Sequence, residues 1–177
     1  TIDVMKNISS ALTLMLLFVA LTSCTKSQIK NNCENNKISV SPSDYDSDSV
    51  LIYIPSAFTP DGDHLNDRFR PFIWGMEITN YEVSKGNKTL FSVSNIGNAL
   101  TSENSWDGPD EDGELCKDGV YSYEVKGKDD IDGDFTITGE VSLITEENNK
   151  PCECRYEDQL DPTEGFISQS TEACTSD

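Results

Sequence analysis

From Val50 onward the chain alternates between apolar and polar positions. Val50, Ile52 and Ile54 recur at every second residue, with Leu51 and Tyr53 between them. Successive side chains of an extended chain point to opposite faces, so this spacing predicts a strand over 50–54. Further candidate strands lie at 67–73, 77–84, 89–95, 119–128 and 134–145. Within 119–128, Tyr121, Tyr123, Val125 and Gly127 fall on one side, and Val120, Ser122, Glu124 and Lys126 on the other. Within 134–145, Phe135, Ile137, Gly139, Val141 and Leu143 share a face, and polar residues fill most of the other. This pattern predicts antiparallel strands with one face buried. After residue 24 no window shows a run of apolar residues at helical spacing. Two turn signals separate the strands. Ser84-Lys85-Gly86-Asn87-Lys88 suits a hairpin, and Asp132-Gly133 lies in the acidic break 129–134. Short strands punctuated in this way predict an all-β fold, an antiparallel β-sandwich of immunoglobulin or fibronectin type over residues 50–145.

The flanks differ from this centre. Residues 11–21 are apolar except for Thr13, follow Met5-Lys6-Asn7, and end in Leu21-Thr22-Ser23-Cys24. A run this short is a secretory segment rather than a membrane span, which needs about 20 apolar residues. Its ending resembles a bacterial lipobox, which implies removal of residues 1–23 as a lipoprotein signal peptide and lipidation of Cys24. Two or more acyl chains would anchor the chain stably. Residues 24–49 are rich in Lys, Asn, Ser and Asp, with Ile38 and Val40 as the only close apolar pair. They are expected to form a flexible tether. In 146–177 the alternation dissolves into an acidic, cysteine-containing stretch, expected to be a loop-rich tail.

Charge narrows the function classes. The 177 residues carry 32 acidic and 13 basic side chains, a formal net charge of −19. Removing residues 1–23 takes away Lys6 and Asp3 and leaves that balance unchanged. Nucleic acid is excluded as a partner, because phosphate binding needs a basic footprint. A surface of this sign is well hydrated and suited to cations. Hydrophobic residues make up 36 % of the chain, below the roughly 45–50 % of globular domains, so the core is modest.

The main candidate chemistry lies between the first two predicted strands. In Asp61-Gly62-Asp63-His64-Leu65-Asn66-Asp67, the oxygens of Asp61, Asp63, Asn66 and Asp67 are candidate ligands for Ca2+, the one candidate cofactor. The spacing is not that of an EF-hand, and Asx turns use the same residue types. The acidic loops 107–113 and 129–134 are read as turns, and Trp106 as a core or turn anchor rather than a sugar platform. His64 is the only histidine, and the chain lacks G-x-S-x-G and H-E-x-x-H, so no catalytic residue is assigned and the protein is read as a non-enzyme. With Cys24 lipidated, Cys33, Cys116, Cys152, Cys154 and Cys174 remain as disulfide candidates. An exported chain permits bridges, and five thiols allow at most two. Cys152–Cys174 or Cys154–Cys174 would close a tail loop, and Cys116 is placed to hold tether or tail to the domain. A soft-metal site at Cys152 and Cys154 lacks a second ligand pair.

Four motifs in order carry a family resemblance. They are Ile54-Pro55-Ser56-Ala57-Phe58-Thr59-Pro60-Asp61-Gly62-Asp63-His64-Leu65-Asn66-Asp67, then Trp106-Asp107-Gly108, then Gly119-Val120-Tyr121-Ser122-Tyr123, and finally Gly139-Glu140-Val141-Ser142-Leu143-Ile144. The chain thereby resembles the gliding motility-associated C-terminal domain of Bacteroidota. That family is a small β-sandwich, used as a type B sorting signal by the type IX secretion system. The resemblance implies an outer-membrane or cell-surface location. It also implies secretion machinery or surface proteins as partners. Ser84-Lys85-Gly86-Asn87 stands where the family carries N-R-W-G, and about thirty residues follow Ile144 where the family domain ends. The expected function is therefore a lipid-anchored envelope module for sorting or protein–protein interaction. The alternative is a Ca2+-dependent carbohydrate- or matrix-binding module.

Overall fold

The computed structural model describes residues 25–42, 50–129, 133–145, 151, 153–161 and 165–166. The signal segment 1–23 and the lipidation candidate Cys24 lie outside them, as do Cys152 and Cys174.

The alternating segments form the sheet they predict. Four long strands, β5 (Met76–Lys85), β6 (Lys88–Gly97), β7 (Gly119–Asp129) and β8 (Asp134–Leu143), pair antiparallel in the order β8-β7-β5-β6. Tyr121, Tyr123 and Val125 of β7 and Phe135, Ile137, Val141 and Leu143 of β8 are buried on one face. On that face two glycines sit directly across the ladder from aromatic residues, Gly127 opposite Phe135 and Gly139 opposite Tyr123. A Cβ on Gly139 would come within 2.3 Å of the Tyr123 Oη, so the ring occupies the space the glycine leaves. The β5–β6 hairpin turns through Gly86-Asn87, and Gly86 supplies the positive φ of 60° that a two-residue connection needs. At the other hairpin, Asp132 lies outside the described residues.

Two short strands share the outer edge of β8. β1 (Ser39–Ser41) pairs antiparallel at Thr136–Thr138, and β3 (Ala57–Phe58) pairs in parallel at Ser142 and Leu143. A separate two-stranded ladder joins β2 (Leu51–Tyr53) to β4 (Phe72–Trp74), and Val50, Ile54 and Ile73 enter the same hydrophobic cluster as the inward residues of the sheet. A second small ladder, β9 (Leu160–Asp161) with β10 (Gly165–Phe166), lies in the tail.

The structure corrects the sequence reading in three places. The strand expected over 67–73 is largely irregular. Only the bridge between Phe69 and Trp106 and the start of β4 are paired there. Pro71 has no N–H to give a ladder, and the Asp67 carboxylate accepts N–H groups from the preceding loop. The tether expected over 24–49 is helical at 25–35, a segment termed α1, and then supplies β1. The helix packs Ile29 and Cys33 against Ala57, Ile144, Cys154 and Tyr156, a small cluster separate from the main core. The third correction concerns the bridges. Cys154 pairs with Cys33, with Cα atoms 4.4 Å apart, which removes the expected Cys154–Cys174 pairing. Cys116 is a half-buried free thiol among the described residues and holds neither tail nor tether. Burial pushes its thiol pKa up.

Candidate functional site

The acidic loop is fixed at both ends by buried aromatic residues. Phe58 precedes it and Phe69 follows it, both almost fully buried, with ring centroids 6.1 Å apart. Trp106 packs on Phe58 at 5.1 Å and on Tyr121 at 5.2 Å, and donates its indole N–H to the Pro109 carbonyl at 2.7 Å. Trp106 is thus a core anchor whose polar edge closes the following turn. Upstream of the loop, Ser56 lies between β8 and the tail. Its carbonyl accepts the Ser142 N–H at 2.8 Å, its own N–H donates to the Arg155 carbonyl at 2.8 Å, and its hydroxyl accepts the Arg155 N–H at 2.8 Å. The opening motif is therefore a strand held on both sides, which fixes where the loop begins.

The loop closes through backbone and carboxylate together. Thr59 donates its N–H to the Asn66 carbonyl at 2.8 Å. Asp67 accepts the Gly62 N–H at 2.7 Å on one oxygen and the His64 N–H at 2.9 Å on the other. Asp61 accepts the Asp63 N–H at 3.2 Å, and Asp63 accepts the Leu65 N–H at 2.8 Å. These are Asx-type contacts that shape a tight turn. Gly62, His64 and Asn66 all take positive φ, at 83°, 74° and 52°. For His64, a non-glycine residue, that conformation is uncommon.

The same turn brings three carboxylates together. One ligand oxygen from each of Asp61, Asp63 and Asp67 lies within 4.8 Å of the others, with Asp61 and Asp63 exposed and Asp67 half-buried. Two oxygens bound to one Ca2+ at about 2.4 Å can be that far apart at most, so the spacing meets the minimum that a shared hard cation requires. The fourth expected ligand, Asn66, makes a contact of its own. Asn66 is buried, and its side-chain oxygen accepts the Asp158 N–H at 3.0 Å. The three carboxylates therefore converge, and Asn66 fastens the tail to the loop. Beside the triad, His64, Asn66, Asp67, Arg68 and Glu157 line a cleft of about 220 Å3. Arg70 donates Nε and Nη2 to Glu157 at 3.0 and 2.5 Å, tying the tail down at a second point.

The acidic loop 107–113 is a turn. Asp110 accepts the N–H groups of Asp112 and Glu114 at 3.0 and 3.3 Å and pairs with Lys88 at 2.8 Å. The hydrogen bond from Lys88 holds its carboxyl below the usual carboxylate range.

Sequence reasoning missed the frame that holds this site, α1 and residues 154–158. The signal for α1 was present in another form. Ile29, Asn32, Cys33 and Asn36 stand at i, i+3, i+4 and i+7, one helical stripe. Two of the four are asparagines, so a scan for apolar periodicity passes over them. Asn32 is buried and donates to Ser142 Oγ at 3.0 Å, and Asn36 donates to the Glu140 carbonyl at 2.7 Å and accepts Arg155 Nη2 at 2.8 Å.

Fold and site together define a mostly antiparallel all-β domain with an acidic loop between β3 and β4 and a disulfide joining its two flanking segments. No family model matches the chain, and no curated protein matches it.

Proposed function

We propose that this chain is a lipid-anchored cell-envelope protein of Bacteroidota, placed at the outer membrane or cell surface. Its all-β domain is a β-sandwich related to the gliding motility-associated sorting modules. The domain is non-catalytic and serves type IX secretion sorting or protein–protein interaction at the surface. The observation that carries this reading is the Cys33–Cys154 disulfide in a chain whose Cys24 ends a lipobox-like segment. Structural disulfides persist in oxidising compartments outside the cytoplasm. The β2–β4 ladder, whose Ile73 packs with the inward residues of the main sheet, supports a second layer. His64 is exposed in a loop, and the acidic side chains around it accept backbone hydrogen bonds that shape the turn, which supports a non-catalytic role. The test is radiolabelled palmitate incorporation in a Bacteroidota host, combined with protease treatment of intact cells. The wild-type chain should be labelled and surface-accessible, and Cys24→Ala should lose the label. Label that survives Cys24→Ala sinks the anchor.

A second reading is favoured by the convergence of Asp61, Asp63 and Asp67. It makes the domain a Ca2+-dependent module for carbohydrate or matrix. In that case millimolar Ca2+ raises the melting temperature, a chelator reverses the rise, and Asp63→Asn abolishes it. Glycan-array retention in Ca2+ would then favour this reading over sorting. Melting that ignores both Ca2+ and chelator leaves the loop as turn chemistry alone.

A further inference from the structure

The geometry points to the Cys33–Cys154 disulfide as a clamp that holds the anchored end of the chain against the domain, so that the domain lies flush with the bilayer instead of on a tether. This inference rests on the lipid-anchor reading of Cys24. Thr25 follows Cys24 directly and already belongs to α1, so the two Cα atoms are about 3.8 Å apart. From Thr25 to Cys33 a helix rises about 12 Å. No slack lies between the acylated residue and the bridge. The helix is docked along that length. Ile29 is 2 % exposed and Cys33 7 % exposed. Asn32 and Asn36 hold Ser142 and the Glu140 carbonyl on β8, and β1 then pairs with the same strand.

The docking surface of α1 is small. Apart from the bridge, its apolar partners are Ala57, Ile144 and Tyr156. The covalent link adds to a few hydrogen bonds of Asn32 and Asn36 and the exposed Lys30–Glu153 pair. With the bridge open and the helix undocked, residues 25–38 become a linker. Its mean reach is about 20 Å, and stretched it spans about 45–50 Å. The bridge thus sets the height of the domain above the membrane.

The test uses the full lipidated chain in phosphatidylcholine vesicles carrying a dansyl headgroup lipid. Energy transfer from the protein tryptophans to dansyl reports the height. The wild type should float with the vesicles and show transfer. The Cys33→Ser/Cys154→Ser variant should float equally and keep its near-UV circular dichroism, while its transfer falls at least two-fold. Equal transfer in both overturns the clamp. Reduction of assembled wild-type vesicles with a phosphine is a second arm. It should lower transfer to the same extent, and a wild type insensitive to reduction overturns the clamp even where the serine variant does not fold. A wild type that does not float refutes the anchor reading, a result distinct from flotation with transfer indifferent to the bridge.

Discussion

Gly127 and Gly139 show how single positions are decided by what lies across the ladder. A Cβ on Gly127 would come within 2.3 Å of the Phe135 ring and 2.4 Å of the Glu77 carbonyl oxygen. The ring is held by the core and the carbonyl belongs to the paired strand β5, so neither yields cheaply. Gly127→Ala is expected to cost about 3 kcal/mol, and Gly139→Ala, whose nearest neighbours are atoms of the Tyr123 side chain, nearer 1–2 kcal/mol, read from urea unfolding. The buried tyrosines give a second prediction. Burial pushes the phenol of Tyr53 up from 10.0 to about 12, and those of Tyr81, Tyr121 and Tyr123 also upward. A raised folded pKa means that the stabilising protonated state is intact below the unfolded value and fails above it. Stability should therefore hold to about pH 10 and fall between about 10 and 12, with tyrosinate absorbance rising together with unfolding. At this scale the sequence was readable wherever the neighbours were local. The inward faces of β7 and β8 follow directly from alternation. Asn66 was not readable, because its partner, the Asp158 N–H, lies 92 residues away.

Among the elements, the long strands and the short β2 were legible, and β1, β3 and α1 were not. β5 to β8 each span ten or eleven residues and show period two over enough positions to be seen. β1, β3 and α1 exist because β8 offers an edge and the tail offers a bridge, conditions that lie far away in the sequence. The irregular stretch before β4 is the converse case, where Pro71 and the loop-facing Asp67 override an apolar pattern. The dependence of α1 on polar contacts can be tested. Asn32→Ala removes the buried donor to Ser142 Oγ and should cost about 1–2 kcal/mol. Hydrogen exchange is expected to quicken over residues 25–38 and to stay unchanged in β5 and β7, since local opening follows local contacts. Uniform acceleration through the sheet would show instead that α1 and the sheet open as one unit.

Over the whole molecule, the excess of acidic residues sets a repulsive background. A net charge of −19 on a chain of this size opposes its own compaction. Screening shortens the reach of that repulsion to about 3 Å in 1 M salt. The melting temperature is therefore expected to climb by several degrees between low salt and about 1 M NaCl, with no requirement for a divalent ion. A melting temperature that falls with salt would mean that ion pairs such as Arg70–Glu157 outweigh the repulsion. The all-β class was legible in the alternation, whereas the closure of the molecule was not, because it runs through a bridge between residues 121 apart in sequence. That bridge also determines how the protein carries load. Tension applied between the segment before Cys33 and the segment after Cys154 passes from one sulfur straight to the other and bypasses every strand from β1 to β8. About 400 Å of contour length stays locked inside the covalent ring while the bond is intact. A fold bridged this way resists pulling by routing force around its strands, and unravels only after the sulfurs part.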